Sequence, residues 1–310
     1  MREAAVMITG GSGCLGQQVI RRLAERKMTV VAVYHHKLPE ALEGVYPVCA
    51  DFSSAELMAA PLRGVDTVVH MAWEGGLTGP AQQLSFDDQG WRPETNNLRM
   101  LRHLVTAMER AGTKRIILLS AAGASRTAEA PFLREKYAAE ALVLNSKIPQ
   151  KQILRPAVIW GGVGANDRLL RSMLRVLRYP IFPLPSRSTA LAPVHVSDLA
   201  GVVALACSQQ QTDAAVLQDV HGGQLYTVEE LFKMVAERYI RSPRLAIGGL
   251  IGESLLPLFE RDKGQNASTT KLRHLLAIGN STKSLPTPVQ VNGPVPKKRL
   301  ASFQERMLEM

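Results

Sequence analysis

Apolar residues in the first half of the chain follow two alternating patterns. Short apolar runs, typical of buried strands, are separated by segments with apolar residues three and four positions apart, which are typical of helices. The strands predicted in this way span residues 5–8, 30–33, 46–49, 67–71, 115–119 and 152–155. The predicted helices span residues 15–26, 95–111 and 133–145. This alternation predicts an α/β protein with a Rossmann-type, doubly wound parallel sheet and a ligand at the carboxyl ends of its strands.

The regular alternation ends near Gly161. Prolines at positions 180, 183, 185 and 193 follow a predicted helix over residues 169–177 and interrupt the pattern. Residues 194–207 then predict a short strand and a helix. Thr227 begins a predicted helix to residue 237, with Glu230 as its capping-box partner. Residues 281–296, rich in Pro, Ser and Thr, predict a loose tail.

These patterns divide the chain into two parts. We expect a sheet domain over residues 1–160, to which residues 193–220 return. Residues 161–192 and 221–310 are expected to form a smaller carboxyl-terminal lobe and tail that serve a substrate or a partner. A chain of 310 residues is long enough to bury a core in both parts.

The composition is that of an ordinary globular protein, with 46% hydrophobic and 21% charged residues. No apolar run approaches the roughly 20 residues of a membrane span. The first strand begins too close to Met1 for a secretory leader, so we expect a cytoplasmic protein. The net charge of +10 is spread along the chain, with a cluster only at residues 297–299, and we predict no nucleic-acid partner.

The cysteines indicate neither disulfides nor zinc. Cys14, Cys49 and Cys207 are far apart in the sequence, form no paired motif and are odd in number. These features favour reduced thiols.

A glycine-rich turn follows the first predicted strand and opens the first predicted helix. Its residues are Thr9, Gly10, Gly11, Ser12, Gly13, Cys14, Leu15 and Gly16. Gly10 would make the turn, Gly13 would let backbone N–H groups approach a pyrophosphate, and Gly16 would let the helix pack on the sheet. The position between a strand and a helix predicts a bound dinucleotide, and a tight loop without a ligand is the alternative.

The second predicted strand ends without a carboxylate. In dinucleotide-binding folds an Asp or Glu at this point accepts hydrogen bonds from the adenosine ribose. Here the residues are Tyr34, His35, His36 and Lys37, whose cationic side chains would pair with a 2′-phosphate. We therefore predict NADP as the cofactor, with NAD possible. A solvated loop is the alternative, and the two histidines lack a third ligand for a metal ion.

Several segments together resemble the extended and atypical short-chain dehydrogenase/reductase superfamily. The resemblance is greatest to the atypical branch that holds the NAD(P)-binding 39-kDa-type accessory subunit of respiratory complex I. It covers about residues 1–240 and fades beyond them. The matching segments are Asp51-Phe52, His70-Met71-Ala72, Asn97, Ser120 to Ala124, Leu154-Arg155-Pro156, Asp167 to Leu169, Pro183 to Pro185, Pro193 to Ala200 and Tyr226 to Leu231.

The resemblance implies roles for individual residues. Asp51 and Phe52 would lie beside the adenine, and Met71 and Ala72 would line the wall on the adenosine side. Asn97 would face the active site, and Lys136 would reach the nicotinamide ribose. The alternatives are a turn residue at 51, core residues at 71 and 72, an ordinary polar residue at 97 and a surface charge at 136.

The superfamily's chemistry uses a Tyr four residues before the Lys and an orienting Ser or Thr hydroxyl. In this sequence those two positions hold Phe132 and Ala121, neither of which carries an ionisable proton or a hydroxyl. Tyr137 adjoins Lys136, but one step along a helix turns a side chain by roughly 100°. The usual catalytic pair is therefore missing, and the remaining candidates for proton transfer are His70, Glu74, Asp167 and His195.

Other polar and aromatic residues have structural alternatives. His195 and Asp198 favour a structural role, in which they join the returning strand and helix to the sheet. Trp73, Trp91 and Trp160 could line a pocket for an apolar substrate or belong to the core.

Three functions remain open from the sequence. The chain could be an NADP-dependent oxidoreductase or epimerase with a non-standard proton donor, a cofactor-binding protein without turnover that serves a protein partner, or a sensor of cofactor redox state. Phe132 and Ala121 favour the second and third. The substrate or partner is unknown, and the protein is expected to be a monomer or a homodimer.

Overall fold

The computed structural model describes residues 5–35, 37–50, 52–74, 85–87, 90–92, 94–128, 130–162, 168–183, 190–209, 214–240, 245–247 and 302–308. These residues group into two compact units. The first comprises the described residues up to Pro156 and those within Ser197–Asp219. The second comprises the described residues within Ala157–Val196, Val220–Gln290 and Lys298–Met310.

Strands and helices are interspersed along the chain as far as Pro156. The strands are β1 (Ala5–Thr9), β2 (Val30–Tyr34), β3 (Val45–Cys49), β4 (Val65–His70), β5 (Ser85–Asp87), β6 (Gly90–Arg92), β7 (Arg115–Leu119), β8 (Gln150–Pro156), β9 (Ile159–Trp160), β10 (Ile181–Pro183), β11 (Ala190–Leu191), β12 (Val194–His195), β13 (Ala215–Val220), β14 (Tyr226–Thr227) and β15 (Leu245–Ile247). The helices are α1 (Cys14–Glu25), α2 (Asn96–Ala111), α3 (Pro131–Leu144), α4 (Arg168–Val176), α5 (Val196–Ser208), α6 (Val228–Tyr239) and a carboxyl-terminal helix (Phe303–Leu308).

The first unit is built on a seven-stranded sheet with the order β13-β8-β7-β4-β1-β2-β3. The five pairings between β8 and β3 are all parallel. The strand order reverses direction on either side of β1, which is the mark of a doubly wound sheet. The predicted Rossmann-type fold is therefore confirmed.

Helix α2 begins and ends where its local sequence requires. The hydroxyl of Thr95 accepts a hydrogen bond from the Leu98 N–H and caps the first turn. Gly112 ends the helix in the left-handed conformation, with φ of 69°. Between them Leu101, Leu104 and Met108 recur on one face and are fully buried against the sheet core.

Helix α3 carries two charged side chains into the interior. Pro131 occupies its first turn, where a missing N–H costs no hydrogen bond. Lys136 and Glu140 lie one turn apart, and their relative exposures are 5% and 1%. Because a buried charge is costly without a partner, each of these two side chains must be stabilised by polar or charged neighbours.

Glu140 on α3 forms an ion pair with Arg155 on the sheet strand β8. Arg155 on β8 donates from Nε to Oε1 at 2.8 Å and from a terminal nitrogen to Oε2 at 2.5 Å. The hydroxyl of Ser120, which follows β7, also donates to Oε1. Glu140 holds the pKa of Arg155 above its usual value through these hydrogen bonds. The network fixes α3 against the carboxyl ends of β7 and β8.

The second unit has an aromatic core. The Phe303 ring packs against Trp160 at 4.3 Å and against Tyr226 at 6.1 Å between centroids. Thr227 and Glu230 form the predicted capping box at the start of α6. The predicted loose tail over residues 281–296 lies outside the described residues.

The predicted elements are present, with shifted ends. The strand predicted over residues 67–71 ends at His70, and the Met71 N–H instead donates to the backbone oxygen of Thr9. Helix α3 begins at Pro131 rather than residue 133 and ends at Leu144. Strand β13 was not predicted as a separate element, because only Val220 is buried in it and its apolar pattern is weak.

No helix in the described part of the chain is long and apolar enough to cross a membrane. Within the same ranges no group of three or more His, Cys, Asp or Glu side chains could hold a metal ion. The three cysteines are unpaired, and burial raises the pKa of the Cys207 thiol to about 12.

The buried ion pair leads to a stability prediction. We expect Arg155→Met to lower the free energy of unfolding by about 3–5 kcal/mol, because it leaves the Glu140 carboxylate buried without its cation. Arg110→Met, which breaks the exposed pair with Glu56, is the matched control and should lower stability far less, because solvent screens that pair. Urea unfolding followed by circular dichroism measures both. Equal losses in the two variants would contradict this account of the network.

Candidate functional site

The turn between β1 and α1 has no room for side chains at two of its glycines. A Cβ at Gly10, where φ is +74°, would lie 2.7 Å from the backbone nitrogen of Ala72. A Cβ at Gly16 would lie 2.2 Å from the carbonyl oxygen of Gly10. Both glycines are therefore required by the turn itself.

Gly13 differs from the other two glycines. A Cβ there would meet a single described atom within 4 Å, the carbonyl oxygen of Gly10 at 3.2 Å. Gly13 caps α1 with extended backbone and without a side-chain hydrogen bond, so the N–H groups of the first turn remain available. This bare cradle at a helix N-terminus fits a pyrophosphate.

The other turn residues complete the cradle. The carbonyl oxygen of Ser12 accepts a hydrogen bond from the Gln17 side chain at 3.2 Å, which ties the turn to the helix that follows it. Cys14 and Leu15 form the first turn of α1, and the Cys14 side chain is half-buried. Gly11 lies between Gly10 and Ser12 in the same turn.

A buried hydrogen-bond network joins this turn to the end of β4. The hydroxyl oxygen of Thr9 accepts from the N–H groups of Met71 at 3.2 Å and Ala72 at 3.3 Å. Its own proton is then donated to Nδ1 of His70 at 2.9 Å, which leaves the imidazole proton on Nε2. Burial, with the nearby Lys136 charge, lowers the pKa of His70 to about 3, so the ring is neutral.

Asn97 in α2 holds the loop that follows β4. Its amide oxygen accepts from the Glu74 N–H at 2.7 Å, and its amide nitrogen donates to the Glu74 carbonyl at 3.1 Å. The same nitrogen donates to the carboxylate of Glu135 on α3 at 3.2 Å. Asn97 thus fixes the loop residue Trp73 relative to helix α3.

Lys136 lies between that loop and the sheet. Its ammonium donates to the carbonyl oxygen of Leu119 at 3.0 Å and lies 3.4 Å from the centre of the Trp73 ring. Burial lowers the pKa of Lys136 to about 7, although the charges of Glu135 and Glu140 oppose the change. A lysine in this state exchanges its proton near neutral pH.

The two positions at which the resemblance implies a catalytic tyrosine and an orienting hydroxyl hold Phe132 and Ala121. The centre of the Phe132 ring lies 5.7 Å from the Lys136 ammonium, as the spacing of four residues along α3 requires. Ala121 is buried and has no hydroxyl. The adjacent Ser120 cannot replace it, because its hydroxyl donates to Glu140.

Tyr137 follows Lys136 in α3, and Glu74 lies in the loop after β4. The Tyr137 phenol acts electrostatically on Arg155, which pairs with Glu140. The side chain of Glu74 is exposed, and its backbone is held by Asn97.

The end of β2 carries the predicted phosphate-binding residues. Tyr34 ends the strand, and the carbonyl oxygen of His35 accepts a weak hydrogen bond from the Cys49 thiol at 3.9 Å. The Lys37 side chain is exposed. His36 lies outside the described residues.

Phe52 is placed by two contacts near the base of the site. Its ring meets that of His70 edge to face at 6.4 Å, and its carbonyl oxygen accepts from His103 on α2 at 2.8 Å. These contacts put Phe52 beside the carboxyl end of β4. Asp51 lies outside the described residues.

The remaining candidates lie elsewhere in the chain. Trp160 is 2% exposed, and its ring contacts His195 edge to face at 5.0 Å, so both contribute to the core of the second unit. Asp198 lies in the first turn of α5. Asp167 and the side chain of Trp91 lie outside the described residues.

The contact of Trp73 with Lys136 and that of Asn97 with Glu135 were not predicted. The residues of each pair are far apart in the sequence and share no spacing pattern. The presence of a tryptophan after β4 and of a lysine in α3 is the only sequence signal that could have suggested the contact of Trp73 with Lys136.

The sequence matches a family model and several known proteins. Residues 10–161 match a family model described as NAD(P)H-binding. Subunit 9 of the NADH dehydrogenase (ubiquinone) 1 alpha subcomplex, a mitochondrial protein of Arabidopsis thaliana, is 27% identical over 252 residues, or 76% of this chain. The chain covers 60% of that subunit's length. The ceramide reductase of Caulobacter vibrioides is 26% identical over 247 residues, which cover 78% of this chain and 73% of the reductase.

Solved structures share the fold. An NADPH-dependent quinone oxidoreductase of Escherichia coli, complexed with NADPH, has a TM-score of 0.71 at 16% identity over 98% of this chain and 99% of its own. A nucleoside-diphosphate-sugar epimerase from Staphylococcus aureus gives the same TM-score and identity over 98% and 99%. The match to the NAD(P)H-binding model begins within the glycine cradle, which supports a nicotinamide dinucleotide as the ligand of this site.

Proposed function

We propose that this protein is an atypical short-chain dehydrogenase/reductase that binds NADP in preference to NAD and lacks the tyrosine-dependent reaction. The observation that carries this proposal is Phe132, whose ring occupies the position beside Lys136 where the phenol would lie. Ala121 supports it, because no hydroxyl is available to orient a substrate carbonyl. When bound, the nicotinamide supplies or accepts a hydride, and the protein's own groups bind and orient the cofactor.

Each part of the dinucleotide has a proposed partner. The backbone around Gly13 and the N-terminus of α1 would hold the pyrophosphate. Lys37 and the neighbouring histidines would pair with the 2′-phosphate, since no carboxylate follows β2. Asp51, Phe52, Met71 and Ala72 would line the adenosine side, and Lys136 would reach the nicotinamide ribose.

Two kinds of biological role fit this proposal. A cofactor-binding protein without turnover that serves a protein partner is supported by the similarity to a complex I subunit. An active NADP-dependent oxidoreductase or epimerase with a different proton donor is supported by the similarity to ceramide reductase and by the buried Lys136. The cytoplasmic location and the choice between monomer and homodimer stay predictions, as does the smaller lobe's role toward a substrate or partner.

Substitutions at two glycines of the cradle test cofactor binding and folding separately. Gly13→Val should abolish NADPH binding while the protein stays folded, because the new side chain would fill the space for the pyrophosphate and meets one described atom. Gly16→Val is the contrasting variant and should also destabilise the fold, because its Cβ would overlap the Gly10 carbonyl. Calorimetric titration with NADPH and thermal unfolding measure the two properties. Unchanged affinity in Gly13→Val would exclude the cradle as the pyrophosphate site.

Cofactor preference depends on the charge that follows β2. We expect tighter binding of NADP than of NAD, and we expect Lys37→Glu to reverse the order, because a carboxylate repels the 2′-phosphate and accepts from ribose hydroxyls. Lys27→Glu, on the turn after α1, is the charge-matched control and should leave the preference unchanged. Equal or tighter binding of NAD by the unmodified protein in calorimetry would rule out the phosphate site.

The missing catalytic pair predicts little or no tyrosine-type turnover. The double variant Phe132→Tyr/Ala121→Ser should gain carbonyl reductase activity, since general acid catalysis is worth roughly a hundred- to ten-thousand-fold in rate. NADPH oxidation with a reactive carbonyl measures the gain, and Phe132→Leu/Ala121→Ser, which lacks the phenol, is the control. Equal rates in the two double variants would show that position 132 does not face the reacting atoms.

A further inference from the structure

We propose that Lys136, held against the Trp73 ring, is itself the proton donor of this site and delivers its proton to a substrate carbonyl oxygen. This inference rests on the proposed cofactor binding and goes beyond it. It assigns to the lysine the role that the absent tyrosine has elsewhere in the family.

The Lys136 ammonium has no carboxylate partner among the described residues. Lys136 is 5% exposed, and its ammonium contacts one carbonyl oxygen, that of Leu119, and one aromatic face, that of Trp73. In the described ranges no carboxylate oxygen lies within 4.0 Å of it. A carbonyl dipole and a π face stabilise an ammonium less than a carboxylate does, so the proton is held loosely.

The carboxylates nearest to Lys136 are already engaged. Glu135 on the same helix accepts from Asn97 on α2, and Glu140 is paired with Arg155 on β8 and with Ser120. Burial then dominates and brings the pKa of Lys136 to about 7. An acid with this pKa is matched to proton transfer near neutral pH.

The titratable group that faces Lys136 from β4 is His70. Its ring is buried and neutral, and its Nε2–H has no hydrogen-bond partner among the described residues. Because a neutral imidazole with a pKa of about 3 does not compete for the proton, the lysine is the acid of the pair. The unpartnered Nε2–H is a second donor in the same interior that an incoming oxygen could meet.

Asn97 acts as a positioning residue for this pair. By binding both backbone groups of Glu74 it holds the preceding Trp73 against the ammonium. Its amide nitrogen also donates to the Glu135 carboxylate. The pKa of Lys136 therefore depends on Asn97 of α2 as well as on residues of its own helix.

The step balances without a further reactant. A bound reduced nicotinamide would supply the hydride to the carbonyl carbon and would itself be oxidised. At Lys136 one N–H bond breaks, its electron pair stays on nitrogen, and an O–H bond forms on the carbonyl oxygen. The neutral amine then takes a proton from water, so the sum is a carbonyl, the reduced nicotinamide and one proton giving an alcohol and the oxidised nicotinamide.

The first test needs no cofactor. Between about pH 7 and the ordinary lysine pKa of 10.5, the unfolded chain holds a proton on residue 136 that the folded protein has lost, so stability rises with pH there. Relative to Lys136→Met, the unmodified protein should gain up to about tenfold in its folding equilibrium constant per pH unit over this range. Lys147→Met, at an exposed lysine, should show no such difference. Parallel stability curves for the unmodified protein and Lys136→Met would overturn the proposal.

The second test measures NADPH oxidation with 9,10-phenanthrenequinone as the carbonyl probe. The slow rate of the unmodified protein should fall as pH rises through about 7, as the ammonium loses its proton. Lys136→Met should lose about a hundredfold or more in rate. Lys136→Arg should also be slow and should lose the fall near pH 7, because a guanidinium keeps its proton throughout. Asn97→Leu should shift the midpoint, which a merely structural residue would not do.

The outcomes separate this inference from the proposed function. If calorimetry shows no NADPH binding to the unmodified protein, the proposed function fails. If NADPH binds but no oxidation occurs, or Lys136→Met oxidises it at the unmodified rate, cofactor binding stands and the lysine is not the donor.

Discussion

The burial of two charges on one face of α3 is the constraint around which this site is organised. The guanidinium of Arg155 and the hydroxyl of Ser120 offset the desolvation cost of the Glu140 carboxylate. These hydrogen bonds also connect α3 to β7 and β8. Lys136, one turn earlier, receives only a carbonyl oxygen and an aromatic face. The first charge therefore stabilises the geometry, whereas the second remains close to neutralisation. A single helix supplies both the rigid anchor and the group whose protonation can change.

Much of the fold could be predicted from the sequence because it follows from local rules. The glycine turn, the parallel strands and the capping box at Thr227 are each encoded within a few residues. The contacts that give the site its chemistry are different. Asn97 binds backbone atoms of Glu74, which any residue could present, and Trp73 meets Lys136 only after α2 and α3 have packed on the sheet. No pattern along the chain encodes such contacts, and the weakly apolar β13 was not predicted for a related reason: its place depends on pairing at the sheet edge.

The comparison with known proteins shows how little the fold alone decides. Oxidoreductases and epimerases superpose on this chain about equally well, because the scaffold positions a nicotinamide without fixing what reacts with it. The local surroundings of Lys136 in this chain include two aromatic rings, those of Trp73 and Phe132. Those two aromatic rings make the surroundings of Lys136 more apolar, and desolvation of that kind is what moves an ammonium toward neutral pH.

The aromatic core of the second unit has a consequence for biosynthesis. Gln304, next to Phe303, bonds to Tyr226 across 78 positions of sequence, and Phe303 itself packs on Trp160 and Tyr226. A ribosome that has released Trp160 and Tyr226 must still translate all the intervening codons before their partner ring exists. During that interval the half-made core exposes aromatic surface of the kind that chaperones bind and that promotes aggregation. The second unit therefore closes late in translation.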